Sequence, residues 1–208
     1  MAKLTGIKRR RLIQLISAVI YNANLKGFIK GEIFQGDIKG VCVPGLNCYS
    51  CPGAIGACPL GSLQNAIADT KYKLPLYIIG LLLLFGLFLG RTVCGFLCPF
   101  GLIQELLYKI PGKKVRKNRI TKKLSFLKYV LLVTLVVIIP LLYGYPAFCK
   151  YICPAGTLEG GIPLVLLNEP LQNMIGLIFS WKVILLAGVI ISSIFIYRSF
   201  CRFLCPLS

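Results

Sequence analysis

The sequence contains no histidine. That absence removes bis-histidine haem, zinc sites with histidine ligands, Ser-His-Asp triads and Cys-His nucleophile pairs together. No Cys-x-x-Cys-His occurs either, which excludes c-type haem attachment. Charge is scarce: 14% of the 208 residues are charged, with six acids against 24 bases. With 57% of the chain hydrophobic and a mean hydropathy of +0.80, too little polar surface is left for a soluble fold. A multi-span membrane protein is expected.

The uncharged runs locate the spans. Leu74 to Gly90, Tyr129 to Phe148 and Val183 to Tyr197 are long enough, or nearly so, to cross a core of ~30 Å. Leu12 to Phe34 reads as a first span despite Asn22, Asn24, Lys26 and Lys30; the basic start Lys8 to Arg11 also fits a signal peptide, but no small-x-small cleavage site follows. Four spans put 17 basic residues and one acid, Glu105, on one side, against seven basic residues and five acids on the other. The positive-inside rule then predicts both termini and the 105–128 loop in the cytoplasm. The net charge of +18 is assigned to topology and anionic lipid rather than to nucleic acid.

The chain has ten cysteines, and they fall in a repeat. Cys58-Pro59-Leu60-Gly61-Ser62-Leu63-Gln64, Cys98-Pro99-Phe100-Gly101-Leu102-Ile103-Gln104 and Cys153-Pro154-Ala155-Gly156-Thr157-Leu158-Glu159 are in phase, and Cys205-Pro206 begins a fourth copy. Cys94, Cys149 and Cys201 stand four residues before a Cys-Pro, giving Cys-x3-Cys-Pro; the first copy has Cys42, Cys48 and Cys51 instead. Residues four apart share a helical face, so two thiolates can hold one metal centre. Proline ends one helix at the second cysteine and starts another, whose free N–H groups face the sulfur. This spacing also closes the bacterial ferredoxin signature.

Topology sorts the sulfurs. Cys94, Cys98, Cys201 and Cys205 share the inner side and suffice for one [4Fe-4S] cluster. Cys149 and Cys153, with two of Cys42, Cys48, Cys51 and Cys58, would hold a second on the outer side. Two other readings compete. Cys48-Tyr49-Ser50-Cys51-Pro52 could be a thiol–disulfide relay, making the protein a membrane thiol–disulfide oxidoreductase. Four-cysteine zinc sites would make it a structural protein. Gln64, Gln104 and Glu159 recur in phase, either beside the clusters or as polar positions on interfacial helices.

These residues resemble the membrane-bound 4Fe-4S proteins of the polyferredoxin type. That group includes the membrane component of periplasmic nitrate-reductase electron supply and the membrane half of the nitrous-oxide-reduction regulatory flavoprotein. The likeness rests on the three Cys-x3-Cys-Pro motifs and on Pro44-Gly45-Leu46-Asn47-Cys48-Tyr49-Ser50-Cys51-Pro52-Gly53, and covers about residues 40 to 208. It implies electron transfer through Fe–S clusters, often to or from a quinone or a flavin-bearing partner. No flavin-attachment sequence is present, so a flavin would belong to the partner.

The expected fold is thus an all-α integral membrane protein of about four transmembrane helices in a tandem pseudo-repeat, with Cys-Pro motifs at the helix ends. A single membrane domain, 1–208, would hold an N-terminal anchor helix (1–35) and repeats at about 40–110 and 145–208. The expected function is electron transfer through two [4Fe-4S] clusters, one near each membrane face. The protein would be a carrier or a subunit of a membrane oxidoreductase. Its expected partners are membrane lipid and a redox protein, a ferredoxin or an FMN-binding protein, and its expected place is the prokaryotic cytoplasmic membrane.

Overall fold

A computed structural model describes residues 2–69, 76–89, 91–112, 114–115, 124–173 and 175–207. Helices follow one another along the chain: α1 (Ala2–Tyr21), α2 (Leu25–Lys30), α3 (Pro59–Ala68), α4 (Leu76–Leu84), α5 (Arg91–Phe96), α6 (Pro99–Leu107), α7 (Leu127–Leu131), α8 (Ile139–Tyr143), α9 (Ala147–Tyr151), α10 (Ile162–Leu167), α11 (Glu169–Asn173), α12 (Leu177–Phe195) and α13 (Ser199–Phe203). Wider π-helical turns continue α4 (Phe85–Leu89), join α7 to α8 (Leu132–Ile138) and lead into α10 (Gly156–Gly161). Among the described residues there is no strand. A single parallel bridge, Cys42 to Ala57, ties the ends of the loop before α3.

Proline sets the boundaries as the motif predicts. Cys58 and Cys98 are extended (φ −67°, ψ 128° and φ −82°, ψ 116°), and Pro59 and Pro99 open α3 and α6. Proline suits that position because its missing N–H would have no intrahelical partner there. The one-turn helices α9 and α13 end alike. The Cys153 N–H donates to Phe148 C=O and the Cys205 N–H to Phe200 C=O, both at 3.0 Å. The residue after each Cys-Pro turns inward, so Leu60, Phe100 and Ala155 join Phe148, Phe200, Val136 and Val189 in one apolar core. Cys58, Cys98, Cys153 and Cys205 belong to the same core, where Phe100 and Phe200 meet edge to face at 5.5 Å. The cysteine sites are therefore central, not peripheral.

Four transmembrane helices are not supported. Among the described residues α12 is the one helix of sufficient length and apolarity to cross a bilayer, with 19 residues and a hydropathy of 2.2. Leu76–Phe88 and Leu127–Tyr143 are apolar but shorter. The expected first span, Leu12 to Phe34, is broken because α1 stops at Tyr21 and α2 ends at Gly31 in the left-handed region (φ +67°). Asn22 and Asn24 account for the break. Asn24 Nδ2 donates to Pro52 C=O at 3.0 Å, and Asn22 Oδ1 accepts from Cys51 Sγ at 3.5 Å, so both serve the cysteine loop. Residues 113 and 116–123 of the basic 105–128 loop and the ends of the expected 74–90 span lie outside the described residues.

Candidate metal centres

Two cavities hold eight of the ten cysteines. The first, of about 290 Å³, is lined by Cys94, Cys98, Cys201 and Cys205. The second, of about 340 Å³, is lined by Cys48, Cys58, Cys149 and Cys153. The first group is the set expected on the inner side. In the second, Cys149 and Cys153 meet Cys48 and Cys58, while Cys42 and Cys51 line neither cavity. Cys42 lies at the bridge to Ala57, and Cys51 faces Asn22. The cavities adjoin, because Leu46 lines both. The Cys-Pro turns end their helices at the shared apolar core.

Each cavity is dressed the same way. Gln64 Nε2 donates to Cys149 Sγ at 3.4 Å while its Oε1 accepts the Phe148 N–H at 2.9 Å. Gln104 Nε2 donates to Cys201 Sγ at 3.2 Å while its Oε1 accepts the Phe200 N–H at 3.1 Å. One glutamine thus positions both a sulfur and the one-turn helix carrying it. Backbone N–H groups also approach the sulfurs, those of Gly61 and Leu60 at Cys58, Gly101 at Cys98, Gly156 at Cys153 and Leu207 at Cys205. Glu159, third in the phase, accepts the Cys48 N–H at 3.0 Å, and burial pushes its carboxyl up to about 7. The phase in the sequence marked these three residues; their partners, 84 to 111 residues away, were beyond its reach.

Charges flank the sulfurs. Arg198 Nη1 donates to Cys94 C=O at 2.8 Å, and its guanidinium pairs with Glu105 at 2.9 Å. Glu105, 2% exposed, also takes Arg10 at 2.6 Å and the Tyr197 hydroxyl. Arg198 is the one non-glycine residue with positive φ (50°) among those described. Strain of that kind persists where surroundings over-determine it. The second cavity has Lys182 in its wall. Neither Arg198 nor Lys182 carried a sequence signal beyond its charge.

The donor set discriminates among the chemistries. No disulfide joins the described cysteines. Burial pushes the Cys51 thiol up to about 11 and raises Cys48 as well. A thiol relay needs an accessible, acidic thiol, and Cys51 is 1% exposed. A single tetrahedral zinc would draw its sulfurs to about 3.8 Å of one another, from Zn–S of about 2.3 Å. Among the described residues no three cysteine or acidic side chains converge in that way. The thiols ring cavities instead, with N–H donors aimed at sulfur, and glycine borders the second cavity where a Cβ at Gly160 would stand 3.3 Å from Cys48 Sγ. Both cavities fit a polynuclear cluster held by thiolates.

The family described as "4Fe-4S binding domain" matches residues 74–118, 127–162 and 177–207, more than half of the chain. The chain belongs to that family. Each matched segment carries one Cys-x3-Cys-Pro motif. The cofactor of this iron–sulfur protein is therefore the [4Fe-4S] cluster. An uncharacterized protein of Methanocaldococcus jannaschii is 33% identical over 152 residues, 70% of this chain and 55% of that protein. Protein NirI of Paracoccus denitrificans is 35% identical over 126 residues, 58% of this chain and 17% of that protein. The chain thus spans about half, or less, of these relatives. No solved structure matches it.

Proposed function

We propose that this iron–sulfur protein holds two [4Fe-4S] clusters and passes electrons singly between a donor and an acceptor at a membrane. Cys94, Cys98, Cys201 and Cys205 would hold one cluster, and Cys48, Cys58, Cys149 and Cys153 the other. The observation that carries this reading is the division of eight cysteines into two sets of four around two cavities. When bound, the clusters supply reversible one-electron chemistry. The chain's own part is to place the sulfurs, exclude water and set charge. Phe100, Phe148 and Phe200 keep the core dry. Gln64 and Gln104 hydrogen-bond sulfur, which favours the more negative reduced state.

Attachment to a membrane is part of the reading. α12 is mostly apolar, with Lys182 in its second turn, and its buried residues are Leu186, Val189 and Ser193. Lys114 caps its C-terminal end through Ile194 C=O at 3.2 Å, leaving a cation where the helix would leave the bilayer. The electron partners would be a ferredoxin or an FMN-binding protein, or a quinone presented by such a partner.

Anaerobic purification with iron, sulfide and zinc analysis tests the core of the proposal. About eight irons and eight sulfides per chain are expected from two cubane clusters, with two distinct EPR signals on reduction. About half that content would leave one cluster, and stoichiometric zinc without sulfide would end the iron–sulfur reading of these cavities.

A further inference from the structure

The two cavities meet at one short stretch of chain. Leu46 lines both, Gly45 lines the first and Asn47 the second. Pro59, which follows Cys58 of the second set, reaches into the wall of the first. Gly45 presses against the first set: its φ is +152°, and a Cβ there would sit 3.3 Å from Cys98 Cα. Only glycine allows backbone to run that close. The stretch then divides its donors. The Leu46 N–H faces the Cys98 sulfur, and the next N–H along, that of Asn47, faces the Cys58 sulfur. Leu46 is 4% exposed and Asn47 fully buried, so the stretch lies within the packed interior.

We propose that Gly45-Leu46-Asn47 is the electron path between the two cysteine sites, joining Cys98 to Cys58 through two N–H···S approaches and the backbone of one residue. This rests on the two-cluster reading above. Tunnelling falls off steeply with distance and runs better through bonds than through space, and among the described residues no other lines both cavities. One electron moves per step: the giving site is oxidised by one equivalent, the receiving site is reduced by one, and no bond is made or broken. The sequence separates Cys58 from Cys98 by three helices, α3, α4 and α5; the loop brings them back to adjacent amides.

The test begins with the unaltered protein. Cys201→Ser and Cys149→Ser would each leave one cluster, and their EPR spectra give the two isolated signals. The fully reduced unaltered protein is expected to show splitting or broadening that the sum of those spectra lacks, because adjoining paramagnets interact. A spectrum equal to the sum would overturn the proposal. Protein with no iron or only one signal would instead defeat the two-cluster reading, a distinguishable failure. The path itself is tested by Leu46→Pro, which deletes the N–H at Cys98, against Leu46→Ala, which keeps it. After flash reduction and freeze-quenching, equilibration between the two signals is expected to slow on the order of tenfold in L46P, as the N–H approach to the sulfur becomes a gap, and to stay near the original rate in L46A. Should L46P fail to hold both clusters, Gly45→Ala, which forces the segment off Cys98, takes its place. An unchanged rate in whichever of the two holds both clusters would remove the path.

Discussion

In the first cavity all four cysteines come from two Cys-x3-Cys-Pro turns; in the second, one such turn meets Cys48 and Cys58, which nine residues of loop separate. The common elements are the Cys-Pro helix start and the glutamine six residues later. The interchangeable element is the remaining pair. A one-turn helix presents Cys94, whereas a loop closed by the Cys42–Ala57 bridge and held by Asn22 and Asn24 presents Cys48. The family match divides at the same place, since 74–118, 127–162 and 177–207 contain every cysteine of the first cavity but neither Cys48 nor Cys58. The second site is thus half family motif and half local construction.

Cysteine substitutions give the largest effects and break the comparison most cleanly. Cys94→Ser or Cys201→Ser is expected to abolish one EPR signal, and Cys58→Ser or Cys149→Ser the other, each with the loss of about four irons. Cys42→Ser and Cys51→Ser are expected to keep both signals. Loss of a signal in C51S would place a ligand where the structure has the contact to Asn22.

The charged surroundings differ more than the sulfurs do. Glu105 joins Arg10 and Arg198, whereas Glu159 has the Cys48 N–H. Removing the anion from a buried pair leaves uncompensated cations, so Glu105→Gln is expected to cost about 3 kcal/mol. In a chain of this size that corresponds to a fall in melting temperature of roughly 6–12 °C. Glu159→Gln exchanges one hydrogen bond and is expected to cost about 1 kcal/mol. Thermal unfolding of the two variants side by side checks the ordering, and equal losses would show that the Arg10–Glu105–Arg198 contacts add nothing.

The chemistry was more legible in the sequence than the architecture. The phase of Cys-Pro and Gln is local, and its consequences, a proline-opened helix and a sulfur at its start, follow from backbone sterics alone. The grouping of Cys94, Cys98, Cys201 and Cys205 rested instead on the expected four-span topology; in the structure these four line one cavity. Hydropathy carried less. It counts apolar residues but not the Asn22–Asn24 break, and composition cannot separate a spanning helix from a short apolar one packed on the core. The choice of Cys48 and Cys58 over Cys42 and Cys51 depends on a loop closure with no periodic signal. The adjacency of the cavities depends on Leu46, which reads in the sequence as one leucine among many.

The glutamines sharpen the likeness between the sites. Gln104→Leu is expected to lower the midpoint potential of the first cluster, and Gln64→Leu that of the second. Each shift would be roughly 20–60 mV, from ~0.5–1.5 kcal/mol per hydrogen bond at about 59 mV per 1.4 kcal/mol for one electron. Each variant should leave the other signal in place. Redox titrations followed by EPR read both at once, and a shift of both signals by one variant would mean that the substitution acts through the shared core.

The smallest effect concerns Lys182, and it separates two ways of stabilising negative charge on sulfur. Its ammonium would lie 3.9 Å from a Cβ placed on Gly156, at the edge of the second cavity, and the residue is partly exposed. A cation there favours the reduced cluster, so Lys182→Met is expected to lower the second potential. Two unit charges about 4 Å apart in water interact by only about 1 kcal/mol, so the shift should stay below about 40 mV, at about 59 mV per 1.4 kcal/mol. Salt distinguishes it from the glutamine effect. Screening shortens from about 10 Å at 0.1 M to about 3 Å at 1 M salt, so the difference between K182M and the unaltered protein should shrink over that range. Gln64 is buried and touches Cys149 directly, so the Q64L shift should persist. A K182M shift that held its full size at high salt would mean that the ammonium reaches the sulfurs by direct contact, and the second cavity would then be charged from within, as Arg198 charges the first.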